Sequence, residues 1–209
     1  MTNTPAASPT VNFAWNVPNV LTIIRLIVVP ILAWMVLAHP QDQGWRLAST
    51  IVFCLAIATD SFDGWYARKY NMVTNWGKLW DAIADKSLTG IAFILLSIVG
   101  DLPWIITILI LVREWGITLM RVKVLKYGVM SAGKGGKLKT VLQAFAIPLF
   151  LLLWPGAPTW FVIVKWTLMI AAFALTILTG LDYVREALKL RAASIAAGGP
   201  VDISEVRKK

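Results

Sequence analysis

Six long apolar segments dominate this sequence and limit its possible folds more than any other feature. They cover approximately residues 20–38, 47–62, 82–100, 103–125, 138–154 and 159–184. A helix that spans a bilayer needs roughly 20 mostly apolar residues, and most of the segments come close to that length. Short polar connections join them, so we expect an all-α integral membrane protein in which six antiparallel transmembrane helices form one bundle.

The composition supports a membrane protein. Of the 209 residues, 58% are apolar and 15% are charged, and the mean hydropathy is +0.70. A soluble domain this apolar would lack the polar surface needed to cover itself. These values exclude a disordered chain and a soluble enzyme with a large extramembrane domain, and the single cysteine excludes an intrachain disulfide scaffold.

The segments divide the chain into three regions. Residues 1–19 are expected to be a cytoplasmic N-terminal segment, in which residues 8–19 form a short helix along the membrane surface. Residues 20–184 are expected to be the six-helix transmembrane domain, and residues 185–209 a basic cytoplasmic tail that contacts anionic lipids. Residues 1–15 contain no Lys or Arg, so we expect the first apolar segment to be retained as an anchor and not cleaved.

The basic residues predict the orientation in the membrane. All but three of the 20 Lys and Arg residues lie in the regions 62–86, 113–139 and 185–209. The connections on the other side contain one basic residue, Arg46. The positive-inside rule therefore places both termini, and the connections after the second and fourth segments, on the cytoplasmic side of a plasma (inner) membrane. Because the charge is distributed by membrane side, nucleic-acid binding does not explain the net charge of +9.

Four aspartates lie at the cytoplasmic ends of the second and third segments. Asp60 and Asp63 are three residues apart, and Asp81 and Asp85 are four apart, so each pair lies on one face of a helix. An antiparallel hairpin would bring all four carboxylates together, where they would repel one another without cations. Oxygen ligands favour Mg²⁺ or Mn²⁺ over zinc. The pattern therefore predicts a site for one or two divalent cations.

The alternative is that these acids only cap helices or form surface ion pairs with neighbouring basic residues. The residues between the two pairs favour the cation site. Gly64, Ala67 and Gly77 are small where membrane helices usually carry Leu, which lets a ligand or a backbone approach closely. Arg68 offers a planar donor fork that suits phosphate. Together these residues indicate a site for a nucleotide or a diphosphate.

The complete pattern resembles the signature of a known enzyme family. Written out, it is Asp60-x2-Asp63-Gly64-x2-Ala67-Arg68-x8-Gly77-x3-Asp81-x3-Asp85. It is similar to the signature of the CDP-alcohol phosphatidyltransferases at every defining position. The six-helix count and the cytoplasmic placement agree with the fold of that family.

The resemblance implies roles for these residues. It implies a centre of two Mg²⁺ (or Mn²⁺) ions whose ligands are Asp60, Asp63, Asp81 and Asp85. Asp85 is also implied as the general base of the reaction. The positions implied to hold the CDP part of the donor, CDP-diacylglycerol, are Gly64, Ala67, Arg68 and Gly77. The family resemblance also implies a homodimer.

Residues outside the signature bear on the acceptor. The stretches 16–25, 113–121 and 136–143 resemble those of the phosphatidylglycerophosphate synthases, a branch of this family. That branch implies transfer of the phosphatidyl group to sn-glycerol 3-phosphate, which forms phosphatidylglycerophosphate and CMP. The same chemistry with an inositol phosphate, or with phosphatidylglycerol to give cardiolipin, is the alternative. A divalent-cation transporter is the alternative from another class, although the sequence shows neither inverted repeats nor a broken midplane helix.

Basic residues predict where an anionic acceptor binds. Arg113 interrupts the apolar run 105–112, where a guanidinium is expected to face a polar cavity or a partner. Arg121 lies eight residues further on, roughly on the same side of the helix. Lys137 and Lys139 open the next helix, so up to four cations would suit the phosphate of the acceptor. The alternative for the two lysines is that they only mark the cytoplasmic side.

Overall fold

A computed structural model shows an all-α chain and describes residues 17–69, 75–124 and 134–197. Within these residues it contains six helices, which confirms the expected all-α fold and the order of the helices. They are α1 Val17–Ala38, α2 Gln43–Lys69, α3 Asn75–Ile98, α4 Trp104–Val124, α5 Lys134–Leu151 and α6 Thr159–Ala197. Most of the expected surface helix at 8–19, and the end of the tail from 198, lie outside the described residues.

Three helices extend well beyond the apolar segments. α2 continues through Asp60 to Lys69 and α3 begins at Asn75, so both pairs of acids lie on helices. α6 has 39 residues and continues to Ala197, past the end of its apolar segment at residue 184. This extension is rich in good helix formers and keeps one side buried, including Leu190.

The bundle is built around α3, which packs against α1, α2, α4 and α5. α6 packs against α4 and α5. Large buried side chains fill the space between the helices, among them Phe53, Phe93, Ile110 and Phe150. We call the end at which α1, α3 and α5 begin the site end, and the opposite end the far end.

The outer surface of the bundle is apolar. Leu55, Val112 and Phe145 are each more than 60% exposed although they are large hydrophobic residues. α1 over Val20–Ala38, and α6, are long and apolar enough to cross a membrane, and α5 has a shorter apolar stretch. An apolar surface of this extent is stable in lipid and not in water. The chain is an integral membrane protein.

A buried arginine closes the far end. Arg46, at the start of α2, is 1% exposed. Its Nε donates a hydrogen bond to the carbonyl of Leu151 at 2.8 Å, and NH1 donates to that of Pro40 at 3.1 Å. NH2 donates to the carbonyl of Phe150 at 3.0 Å and to Oδ2 of Asp101 at 2.5 Å. Arg46 is the one basic residue that the sequence places in the connections on the non-cytoplasmic side. Its hydrogen bonds join three segments of the chain.

Local sequence explains how the far end is shaped. α3 ends before Gly100, whose φ of 85° lies in the left-handed region that a side chain disfavours. The amide of Asp101 then donates to the carbonyl of Leu96 at 2.9 Å, which turns the chain and places the Asp101 carboxylate. At the start of α2, Oδ1 of Asp42 accepts a hydrogen bond from the amide of Trp45 at 3.0 Å and caps the helix.

Candidate active site

The predicted cation site falls on α2 and α3. The backbones of Asp60 and Asp63 lie in the second half of α2, those of Asp81 and Asp85 lie in the first half of α3, and the two helices pack together. The side chains of residues 60–82 lie outside the described residues. This range includes the predicted CDP-binding positions Gly64, Ala67, Arg68 and Gly77.

Asp85 is the one predicted metal ligand whose side chain the structure describes. It is half-buried, and its backbone carbonyl accepts a hydrogen bond from the Thr89 hydroxyl at 3.0 Å. Among the described side chains, no group of three or more His, Cys, Asp or Glu residues could hold a metal ion. The ligand set therefore remains a prediction from the sequence.

A cluster of charged side chains joins α4 to α5 near the site end. Oε1 of Glu114 accepts a hydrogen bond from NH1 of Arg113 at 2.9 Å and another from Nζ of Lys139. The side chains of Arg113 and Lys139 are 9% and 7% exposed, and that of Glu114 is 21% exposed. In the described part of the chain, the backbones of α4 and α5 do not pack closely, so these long side chains bridge a gap between the helices.

The charges in this cluster do not balance. Two cations share one carboxylate, which leaves one positive charge in excess within the group formed by Arg113, Glu114 and Lys139. Charges in a partly buried site are poorly screened by water, so an excess of positive charge within this group favours the binding of an anion. The cluster is chemically suited to bind a phosphate that enters from the site end.

Two hydrogen bonds connect this cluster to the helix turn that carries Asp85. Lys86, the next residue in the sequence, donates from Nζ to the hydroxyl of Thr118 on α4. The Thr118 hydroxyl in turn donates to the backbone carbonyl of Glu114 at 2.9 Å. The helix turn that carries Asp85 and the cluster of cations are therefore joined through Lys86 and Thr118.

α6 contacts the same arginine. NH2 of Arg113 donates a hydrogen bond to the Thr179 hydroxyl at 2.7 Å, and Cζ of Arg113 lies 5.8 Å from the ring centre of Tyr183. A Cβ atom added to Gly180 would lie 3.0 Å from Cγ of Arg113. Nε of Arg113 is buried and has no hydrogen-bond partner among the described residues.

A further polar pair lies deeper in the bundle, one turn along α5 from Lys139. Nε2 of Gln143 donates a hydrogen bond to the Thr176 hydroxyl at 3.3 Å, and that hydroxyl donates to the Ala172 carbonyl at 2.6 Å. Gln143 and Thr176 are 5% and 0% exposed. The polar region is therefore continuous from α3 across α4 and α5 to α6.

The structure brings together two of the four predicted acceptor residues, Arg113 and Lys139, through a shared carboxylate oxygen. The side chains of the other two, Arg121 and Lys137, lie outside the described residues. Sequence reasoning missed the contribution of α6. A signal was present, because Thr176, Thr179, Gly180 and Tyr183 interrupt an apolar helix at spacings that place them near one face.

A helical membrane bundle with a positively charged, partly buried polar region near one end defines the general class: an integral membrane protein with a cationic site among its helices. Comparison with known proteins makes the class specific. Residues 15–178 match the family model described as CDP-alcohol phosphatidyltransferase. The chain belongs to this family, which confirms the resemblance seen in the sequence.

Several relatives are similar over most of their length. A probable phosphatidylglycerophosphate synthase of Mycobacterium tuberculosis is 45% identical over 175 residues, which are 83% of this chain and 82% of that protein. The CDP-diacylglycerol–glycerol-3-phosphate 3-phosphatidyltransferase of Rickettsia typhi is 38% identical over 174 residues, 81% of this chain and 96% of that protein. The protein of the same name from Bacillus subtilis is 38% identical over 150 residues, 66% of this chain and 77% of that protein.

Proposed function

We propose that this chain is a membrane enzyme that transfers the phosphatidyl group from CDP-diacylglycerol to sn-glycerol 3-phosphate and releases CMP. The product, phosphatidylglycerophosphate, leads to phosphatidylglycerol and cardiolipin. The observation that carries the proposal is the 45% identity with a probable phosphatidylglycerophosphate synthase over 83% of the chain. The cluster of Arg113, Glu114 and Lys139 supports it, because its excess positive charge suits an acceptor that carries a phosphate.

Divalent cations, two Mg²⁺ or Mn²⁺ ions, are part of the proposal. The donor set fits them, because Asp60, Asp63, Asp81 and Asp85 offer only carboxylate oxygens, on two helices that pack together. When bound there, such cations neutralise the diphosphate of the donor and the charge that develops on the departing CMP. The CDP part is proposed to lie against Gly64, Ala67, Arg68 and Gly77.

Asp85 is proposed as the general base. Its carboxylate takes the proton from the primary hydroxyl of the acceptor, whose oxygen then attacks the phosphorus that carries diacylglycerol. A new bond forms between that oxygen and phosphorus, and the bond from this phosphorus to the oxygen bridging to CMP breaks. The electron pair of the broken bond leaves with CMP. The half-buried position of Asp85 beside Lys86, which is linked through Thr118 to the cationic cluster, supports this role.

The acceptor's phosphate is proposed to bind at the cationic cluster. Arg113 and Lys139 provide N–H donors there, and Arg121 and Lys137 are the further cations expected nearby from the sequence. A phosphate bound next to the Asp85 turn would bring the reacting hydroxyl towards the base. Binding energy from the phosphate, which does not itself react, would thus position the hydroxyl for attack.

The membrane arrangement is also part of the proposal. All six helices are proposed to cross a plasma (inner) membrane, with both termini and the active site on the cytoplasmic side. CDP-diacylglycerol would enter from the lipid and glycerol 3-phosphate from the cytoplasm. The protein is proposed to work as a homodimer, as the family resemblance implies.

Acceptor selection tests the proposal directly. The purified protein in detergent, with Mg²⁺ and labelled CDP-diacylglycerol, is offered glycerol 3-phosphate, glycerol, an inositol phosphate or phosphatidylglycerol, and the lipid product is identified. We expect CMP release and phosphatidylglycerophosphate with glycerol 3-phosphate only. A labelled product with another alcohol would mean that this alcohol, and not glycerol 3-phosphate, is the acceptor. No product with any alcohol, together with Mn²⁺ uptake into proteoliposomes, would favour the transporter instead.

A further inference from the structure

We infer that Thr179, Gly180 and Tyr183 of α6 position Arg113 for the phosphate of the acceptor, and that these residues, the α6 platform, help set the preference for a phosphorylated alcohol. The inference rests on the proposed function and extends it to a helix that the sequence motifs do not include. The family match ends at residue 178, one residue before the platform begins.

Thr179 fixes the direction of one terminal nitrogen. Its hydroxyl donates to the carbonyl of Leu175, in its own helix, at 2.6 Å. That bond uses the single hydroxyl proton, so the oxygen faces Arg113 as an acceptor and receives NH2 at 2.7 Å. A valine has nearly the same shape and lacks the oxygen, so it would leave this N–H without its partner.

Gly180 allows the stem of the arginine to lie directly against α6. A Cβ atom at this position would be 3.0 Å from Cγ and 3.4 Å from Nε of Arg113. The first distance is shorter than most contacts of a Cβ atom, so an alanine would require the stem of Arg113 to move by a few tenths of an ångström. The close approach also explains why Nε is buried without a hydrogen-bond partner among the described residues. Such burial is unfavourable and indicates that the position of Arg113 is imposed by its surroundings.

Tyr183 supports the guanidinium group and connects it to α5. Its ring centre lies 5.8 Å from Cζ of Arg113, a cation–π distance. Its hydroxyl would be 3.8 Å from a Cβ atom at Gly136, near the start of α5. Tyr183 therefore lies against the arginine of α4 and near the beginning of the helix that carries Lys139.

These contacts leave donors of Arg113 available for a ligand. A guanidinium has five N–H groups. The described residues engage one on NH1, through Glu114, and one on NH2, through Thr179. Each terminal nitrogen has a second N–H that no described residue engages, and a phosphate oxygen can accept a charge-assisted hydrogen bond from such a donor. With Glu114 on one side and α6 on the other, the fork cannot turn away without breaking these bonds.

The experiment measures the Michaelis constants for glycerol 3-phosphate and CDP-diacylglycerol, and kcat, in Thr179→Val, Thr179→Ser and Thr167→Val. Thr167 is an exposed threonine on the same helix and serves as the matched control. Thr179→Val should raise the constant for glycerol 3-phosphate about fivefold or more, because a hydrogen bond to a charged group is lost. The constant for CDP-diacylglycerol should change by less than about twofold, as in the control. Thr179→Ser should recover most of the lost acceptor affinity.

Tyr183→Leu and Tyr183→Phe test the α6 platform independently of the Thr179 hydroxyl. They also provide the test if Thr179→Val does not fold. Leucine should raise the constant for glycerol 3-phosphate more than phenylalanine does, because phenylalanine keeps the aromatic face. An equal loss of affinity for both substrates, or a fall in kcat alone, would mean that α6 only packs the bundle, and would overturn the inference.

Arg113→Gln separates this inference from the proposed function. If Arg113→Gln raises the constant for glycerol 3-phosphate and Thr179→Val does not, the platform is wrong and the acceptor site stands. If Arg113→Gln leaves that constant unchanged, the acceptor site is misplaced and the platform falls with it. Inorganic phosphate should inhibit competitively with glycerol 3-phosphate, and this inhibition should weaken in Thr179→Val.

Discussion

Two arginines with little solvent exposure, Arg46 at the far end and Arg113 near the site end, are held in different ways. Arg46 at the far end donates four hydrogen bonds, three to backbone carbonyls and one to the carboxylate of Asp101. Arg113 near the site end is held by two side chains, Glu114 and Thr179, and its buried Nε has no partner among the described residues. Both are largely removed from solvent, so burial alone does not distinguish them.

The difference matches a structural role for Arg46 and the binding role proposed for Arg113. The backbone carbonyls around Arg46 belong to segments that come together when the protein folds. Folding alone therefore supplies the hydrogen-bond acceptors of Arg46. The bonds of Arg113 within the described part of the chain come from side chains and engage one N–H on each terminal nitrogen, which suits the binding of a ligand proposed above. We therefore expect substitutions at the far end to reduce stability and substitutions at the site end to reduce activity.

The largest effect is expected at the predicted metal ligands. Asp81→Asn or Asp60→Asn should abolish turnover, because each removes a negative charge from the cation site, while the melting temperature in detergent should remain similar. Asp182→Asn, at an exposed acid of α6, should keep full activity. Chelation of divalent cations should also stop turnover in the unmodified protein, and activity that survives both treatments would refute the cation site.

Asp85→Asn should reduce kcat by roughly 100- to 10,000-fold, the usual range for loss of general-base assistance. Affinity for CDP-diacylglycerol should fall much less, because three carboxylates remain to hold cations. Equilibrium binding of the donor and single-turnover rates would be measured separately. Parallel losses in both would make Asp85 mainly a metal ligand.

At the far end, Arg46→Met should lower the free energy of unfolding by about 3 kcal/mol, because Asp101 and three carbonyls lose their donor. The Michaelis constants of the protein that remains folded should not change. Arg185→Met is a suitable control, since Arg185 forms a 3.8 Å pair with Asp182 in which both side chains are more than 70% exposed. Its effect should stay within about 0.5 kcal/mol. Thermal unfolding in detergent measures the loss of stability. A large rise in the Michaelis constant for glycerol 3-phosphate in Arg46→Met would show that the two arginines do not have separate roles.

The smallest effect is expected for single cations of the cluster. Lys139→Met should raise the Michaelis constant for glycerol 3-phosphate about tenfold, which corresponds to roughly 1.5 kcal/mol for one charge-assisted contact. The constant for CDP-diacylglycerol should hardly change. Lys189→Met on exposed α6 surface provides the comparison, because it removes the same charge without removing a contact to the cluster. Weaker donor binding in Lys139→Met would place the cluster at the diphosphate.

Much of the fold could be predicted from local sequence. Runs of apolar residues predicted the six helices, because a helix that spans the hydrocarbon core of a bilayer needs a continuous apolar stretch. The ends of the helices were less predictable. α2 and α3 continue through their charged residues, and α6 continues well past its apolar segment. Pro30 and Pro148 lie inside α1 and α5 and do not end them, although proline usually breaks a helix.

The candidate site was predictable only where its residues are charged and lie within or beside apolar segments. Arg113 stood out as a cation within an apolar run, and Lys139 as one of a basic pair, and the structure brings them together. The position of Glu114 between them depends on the distance between α4 and α5, which no local pattern encodes. The same holds for Thr179 and Gly180, whose contacts with Arg113 cross 66 or more residues of sequence.

The length of α6 has a practical consequence. Its 39 residues rise about 58 Å at 1.5 Å per residue, nearly twice the roughly 30 Å thickness of a hydrocarbon core. With α6 crossing the membrane as proposed, even a strongly tilted helix would project beyond the lipid tails. In that arrangement, a fluorophore or an antibody epitope attached near Ala197 would lie outside the hydrocarbon core, away from the lipid-facing surface of the bundle.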